Sequence, residues 1–183
     1  MPRALQPHTP DDDLAAHGAH AASAGLSGVL TPEVAAFCQG GVSVIIALGG
    51  KDAAPVAGLG CGCRLLEENR MRLLLMRAGN EELVSAAERG EPVAATFSQP
   101  VTHRSIQVKG SNSGIAAPTE NDRLAALRQM DGLREELREI EFTARFAEAY
   151  CHVDPDDLVA IDFDLDTAFV QTPGPGAGAE LKA

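Results

Sequence analysis

Glu91–Gly110 reads EPVAATFSQPVTHRSIQVKG. Two strand-like runs, Val93–Phe97 and His103–Lys109, flank Ser98–Thr102, with Pro100 in the connection. Proline has no N–H to give to a ladder, so the chain must bend there or run along a sheet edge. The spacing predicts an antiparallel hairpin. Side chains alternate along a strand, which places His103, Ser105, Gln107 and Lys109 on one face and Arg104, Ile106 and Val108 on the other. A polar row backed by an apolar one marks a half-buried strand whose polar face meets either water or a ligand.

Upstream, Val42–Leu48 (VSVIIAL) is an apolar, β-branched run and reads as a buried strand. Thr31-Pro32-Glu33 opens a short helix, Pro32–Cys38, with Thr31 as N-cap and Pro32 at the first helical position. Gly49–Asp52 is a turn. Pro55–Leu66 is a second strand, with Gly58, Gly60 and Gly62 on one face, where another backbone or a flat ligand could approach closely. No helix and no acidic residue follow at the spacing of a dinucleotide loop, so a Rossmann reading is rejected. Cys61 and Cys63 fall on one strand face and lack the second pair that a closed zinc site needs. They read as small buried apolar residues, and no metal site is expected. Arg70–Met76 is a third strand, and Gly79–Gly90 a helix with Leu83, Ala86 and Ala87 inward.

Downstream, Pro118–Tyr150 has helical periodicity through Leu124, Leu127, Met130, Leu137, Ile140 and Ala144. Thr119 and Asp122 form a capping box, and Gly132 marks a break into two helices. Leu158–Asp164 and Thr167–Gln171 complete the strands. This is neither a βαβ alternation nor a sandwich. The expected fold is α+β: a six-stranded antiparallel β-barrel with peripheral helices, which the resemblance described below makes a split β-barrel. Residues 1–27 read as a flexible N-terminal arm, partly helical near Asp13–Ala22, with solvated His8, His17 and His20. Residues 28–171 form the barrel domain, and 172–183 a Gly/Pro-rich flexible tail.

The 183 residues suit one domain with a core of its own. Aromatics are 4% and tryptophan is absent, so Val, Leu, Ile and Ala must build that core, and a homodimer would supplement its burial. A net charge of −11 opposes nucleic acid as a partner. Arg64, Arg70, Arg72, Arg77, Arg104 and Lys109 nonetheless gather in the sheet region, as an anion site or as scattered surface charge. Met1–Asp13 lacks the apolar core of a secretory leader, and no apolar run is long enough to span a membrane. A cytoplasmic protein with reduced thiols is expected.

An alanine-rich strand, a proline turn, an arginine and a strand ending Gln107-Val108-Lys109-Gly110 resemble the FMN-binding split-barrel family typified by pyridoxamine 5'-phosphate oxidase. The resemblance runs from about Pro32 to Lys109 and more weakly to Val170. It implies an FMN-dependent oxidoreductase dimer with two cofactor clefts between subunits, and Gln107 beside the isoalloxazine ring. The family's Ser/Arg/Lys phosphate cluster is replaced here by Arg77-Ala78-Gly79-Asn80. Under this resemblance Arg77, Asn80, Arg104 and Lys109 meet the phosphate, Gln107 and Ser98 bond the ring, and Leu74 and Met76 wall it. No nucleophile–base pair stands out, so any chemistry belongs to the cofactor. The alternative is a non-catalytic binding module on the same fold, for haem, another flavin or no cofactor. The departure at the phosphate cluster favours this second class; the Gln107–Lys109 match favours the first.

Overall fold

The protein is described from a computed structural model covering residues 7–24, 28–50, 54–67 and 69–182. Parts of the expected Gly49–Asp52 turn and of the N-terminal arm lie outside these residues. The elements are α1 (Pro10–Ala24), α2 (Pro32–Cys38), β1 (Ser43–Leu48), β2 (Val56–Gly60), β3 (Gly62–Leu65), β4 (Arg70–Met76) and α3 (Glu81–Glu88). They continue with β5 (Val93–Ser98), β6 (Ser105–Ala116), α4 (Glu120–Glu139), α5 (Ala144–Tyr150) and β7 (Leu158–Val170).

One antiparallel sheet of seven strands runs in the order β2-β1-β5-β6-β7-β4-β3. This is an α+β fold, with seven strands where six were expected. The expected strand Pro55–Leu66 divides at Cys61: β2 pairs with β1, and β3 with β4. The first and last strands of the sheet are therefore joined by a single residue, and the sheet must curl to bring its two ends together. Cys61 N–H donates to Leu74 O (2.7 Å) across that seam. The two expected C-terminal strands merge into β7. Strand β6 begins at Ser105, because His103 sits in the left-handed region (φ 61°) and is part of the turn rather than of the polar strand face.

Alternation puts Ile46, Leu48, Leu73, Leu75, Phe97, Ile106, Val108, Ile161 and Phe163 inside the curl, each buried. Gly110 passes so close to β7 that a Cβ would lie 2.0 Å from Asp164 O, so only glycine fits there. A second apolar layer lies outside β4 and β7, where Met130, Leu133 and Leu137 of α4 and Ala147 of α5 cover Leu74 and Ala160. Helix α4 opens with the expected Thr119–Asp122 capping box. It does not break at Gly132, which is needed for close approach: a Cβ there would stand 2.8 Å from the Gly41 Cα. The chain turns instead between Ile140 and Thr143.

The glycines of β2 and β3 meet protein rather than open space. A Cβ at Gly58 would strike the Asn80 side chain, one at Gly60 would meet Val44 and Ile46, and one at Gly62 would meet the Ala126 backbone.

The terminal segments differ from the expected mobile arm and tail. Helix α1 docks through the buried Asp13, whose carboxylate receives Arg104 Nε (2.8 Å). Buried His17 pairs its Nε2 with Lys182 O (2.8 Å). The tail returns along β7 through Leu181 N–H to Ala168 O (2.8 Å), with Leu181 and Thr172 buried. Each terminal segment supplies the other with polar partners that sequence periodicity does not display.

Candidate functional site

A cleft of about 390 Å³ lies where the sheet ends meet. Its floor is Gly58–Cys61 with Ser43 and Val44 of β1. Its walls are Met76 and Ala78–Asn80 on one side, and Met130 and Leu133 of α4 on the other. Ala149, Tyr150 and His152 close it at the end of α5. Glycines, two methionines and aliphatic side chains dominate this lining. A cleft of this size with few polar groups suits a small, largely apolar molecule.

Four polar side chains face it. Ser43 donates to Ser98 O (3.2 Å). Asn80 Nδ2 donates to Met76 O (2.9 Å), which fixes the amide and leaves its oxygen as the acceptor. Burial raises the Tyr150 phenol above its ordinary value, with Cys151 adding to the effect, so it remains a hydrogen-bond donor at neutral pH. His152 is exposed at the rim. Cys61 also lines the cleft, and burial pushes its thiol up to about 12, which leaves it un-ionised and unreactive. The sequence reading missed Tyr150 and His152. The single signal available was that Tyr150 is the only tyrosine of the chain.

The turn leading into α3 has no free N–H between Arg77 and Asn80. Arg77 N–H donates to Asp157 O (2.9 Å), Ala78 N–H to the Asp157 carboxylate (2.9 Å), and Asn80 N–H to Arg77 O (2.9 Å). Gly79 N–H donates to the Glu81 carboxylate (3.1 Å). The Glu81 carboxyl lies below its usual value, held there by its own backbone N–H, by that of Gly79 and by nearby Arg77. Two protein carboxylates thus take the amides that a phosphate at this turn would use.

The six residues singled out from sequence separate into three groups. Ser98, Gln107 and Lys109 share the outer sheet face: Ser98 Oγ bonds Ser105 Oγ (2.6 Å), Gln107 Nε2 donates to Thr96 Oγ1 (3.1 Å), and Lys109 Nζ lies 4.8 Å from the Phe169 ring centroid. Asn80 lines the cleft, and exposed Arg77 stands beside it without an ion pair among the described residues. Arg104 belongs to neither group, because its guanidinium is held by Asp13 (2.6 Å) and Glu33 (3.0 Å) over the Phe37 ring. The expected basic patch dissolves in the same way. Arg64 and Arg72 share Asp122, Arg72 also binds Asp162, and Arg70 pairs with Asp164. Of the two residues expected to wall a ring, Met76 lines the cleft and Leu74 is buried beneath α4.

Among the described residues no group of three or more His, Cys, Asp or Glu is placed to hold a metal ion, and no helix is long and apolar enough to cross a membrane. The curled antiparallel sheet with its helices is an α+β half-barrel. No family model and no curated protein matches this chain. Solved structures do. HupZ of Group A Streptococcus is 13% identical, with 81% of this chain and 99% of that chain covered and a TM-score of 0.48. A pyridoxamine 5'-phosphate oxidase-related, FMN binding protein of Nostoc punctiforme is 13% identical over 73% and 76% of the chains, at 0.38. HutZ, a heme storage protein of Vibrio cholerae, is 10% identical over 77% and 94%, at 0.41. The Nostoc protein bears the family name to which the central hairpin pointed. At this identity no residue role is carried over.

Proposed function

We propose that this protein binds a planar organic cofactor and holds its ring in the seam cleft. The observation that supports the reading is the cleft's lining: an apolar slot with Asn80, Tyr150 and His152 as edge partners. A flavin ring is the first class of ligand. Its flat body suits the apolar walls, and its polar edge suits the Asn80 amide oxygen and the Tyr150 hydroxyl. Haem is the second reading, favoured by one feature, the exposed His152 imidazole at the rim, since histidine is a common haem-iron ligand. The FMN-dependent oxidoreductase implied by the central hairpin would need a phosphate anchor other than the Ala78–Gly79 amides. Lys109 lies on the outer sheet face, and Arg77 stands beside the cleft without an ion pair among the described residues. A non-catalytic binding module therefore accounts for more of the site. The same reading takes the protein to be a cytoplasmic homodimer, with the exposed Ile45 and Leu59 of the outer sheet face meeting a second copy.

The visible spectrum tests it. Addition of riboflavin or haemin to the purified protein should give a bound flavin band near ~450 nm or a haem band near ~400 nm. His152→Ala should abolish a haem shift and leave flavin binding intact. If neither probe binds, the cofactor-binding reading fails.

A further inference from the structure

Resting on the reading of the seam cleft as a planar-ligand site, we infer that this cleft selects an uncharged or cationic ring and rejects its phosphorylated form. The turn Ala78-Gly79-Asn80 forms one wall of the cleft. Behind that wall the Asp157 carboxylate takes the Ala78 N–H (2.9 Å) and the Glu81 carboxylate takes the Gly79 N–H (3.1 Å). A phosphate arriving there meets two negative charges and spent donors, with Arg77 of opposite sign nearby. The other arginines near the sheet are committed to Asp13, Glu33, Asp122, Asp162 and Asp164. Two ionised carboxylates at this exposed turn repel an arriving anion in low salt and leave a neutral ring unaffected.

The opposite end of the cleft supplies attraction without charge. Tyr150 closes it and stacks on Phe146, with ring centroids 5.7 Å apart, and Phe146 stacks on Phe142 at 4.7 Å. A ring already stacked on one face, at the end of a row of three, is pre-set to receive an aromatic or cationic partner. The Asp157 and Glu81 carboxylates thus play the part that a bound phosphate would play elsewhere.

Riboflavin and FMN differ by one phosphate and make a matched pair of probes. Tyr150 is the only tyrosine and tryptophan is absent, so quenching of tyrosine emission reports this cleft alone. In low salt, riboflavin should quench Tyr150 and bind at least tenfold more tightly than FMN in equilibrium dialysis, and added salt should narrow the gap, as screening requires (roughly tenfold to a fewfold). The double variant Asp157→Asn, Glu81→Gln keeps both acceptors and removes both charges; it should bring the two affinities within about threefold. Tyr150→Ala should weaken riboflavin at least threefold, about the effect of one aromatic contact. If FMN binds as tightly as riboflavin, or if the double variant leaves the gap unchanged, the charge-selection inference is overturned while the cofactor-binding reading stands. If haemin binds and riboflavin does not, this inference also falls. Failure of all three ligands overturns both.

Discussion

Asp122 shows how a single side chain can serve two structural levels. Its carboxylate closes the α4 capping box by accepting Thr119 N–H and Oγ1–H (both 2.7 Å). The same group, wholly buried, receives Arg64 (2.7 Å) and Arg72 (2.8 Å) from β3 and β4. Burial alone would raise its pKa, but the Arg64 guanidinium, the Thr119 donors and Arg72 outweigh it and hold the carboxyl far below its usual value. Since the folded value lies below the unfolded one, its stabilisation is complete above the unfolded pKa of about 4. It drains away as pH falls through the folded value. Asp122→Ala leaves two arginines without their buried partner and should cost about 3–5 kcal/mol in urea unfolding at pH 7. It should also flatten the loss of stability that the native protein shows below about pH 4. An unfolding midpoint equal to that of the native chain at pH 7 would rule this account out.

At the level of elements, α1 is the informative case. Its sequence, PDDDLAAHGAHAASA, has only a weak apolar stripe, the reason residues 1–27 read as a flexible arm. The docked helix reverses that expectation. Asp13 neutralises Arg104, which is only 12% exposed and lies over Phe37, and Leu14 packs on the main core. Deletion of residues 1–24 strips Arg104 of a buried partner and should lower the melting temperature by several degrees, as a loss of about 2–4 kcal/mol would. Calorimetry on the shortened chain decides, and an unchanged transition would mean that α1 does not contribute in solution. Helix α4 makes the complementary point. Gly132 has poor helix propensity, yet its lack of a side chain lets Gly41 approach, and tertiary contact outweighs the intrinsic cost of about 1 kcal/mol.

For the whole molecule, the feature that calls for a partner is the outer sheet face. Ile45 is 51% and Leu59 50% exposed, and they are direct cross-strand neighbours between β1 and β2. Thr96 pairs with Ile45 on the other side, and Gln107 with Thr96, so an apolar pair adjoins a polar row on one surface. A homodimer over this face would cover that pair at little electrostatic cost, since Lys109 is the one ionisable side chain on these rows of β1, β5 and β6. Sedimentation equilibrium at micromolar concentration should give twice the 19.1 kDa chain mass, and Leu59→Asp should return it to one chain. A native protein that sediments as a single chain would exclude the homodimer.

The sequence by itself determined what period and punctuation can encode. The hairpin around Pro100, the apolar β1, the Thr119 capping box and the outward row of Gln107 and Lys109 all depend on neighbours within a few residues. Only the tertiary structure decided the fate of the charges and the location of the cleft. Arg64 meets Asp122 across 58 positions and Arg104 meets Asp13 across 91, so an apparent basic patch became a set of internal ion pairs. The split of one glycine-rich strand at Cys61 was likewise hidden, because β2 and β3 read as continuous until their partners, β1 and β4, are known. The cleft draws on β1, β2, the turn before α3, α4 and the end of α5. Alternation tells which way a side chain faces, but curling of the sheet decides what it faces, and that depends on contacts far apart in the chain.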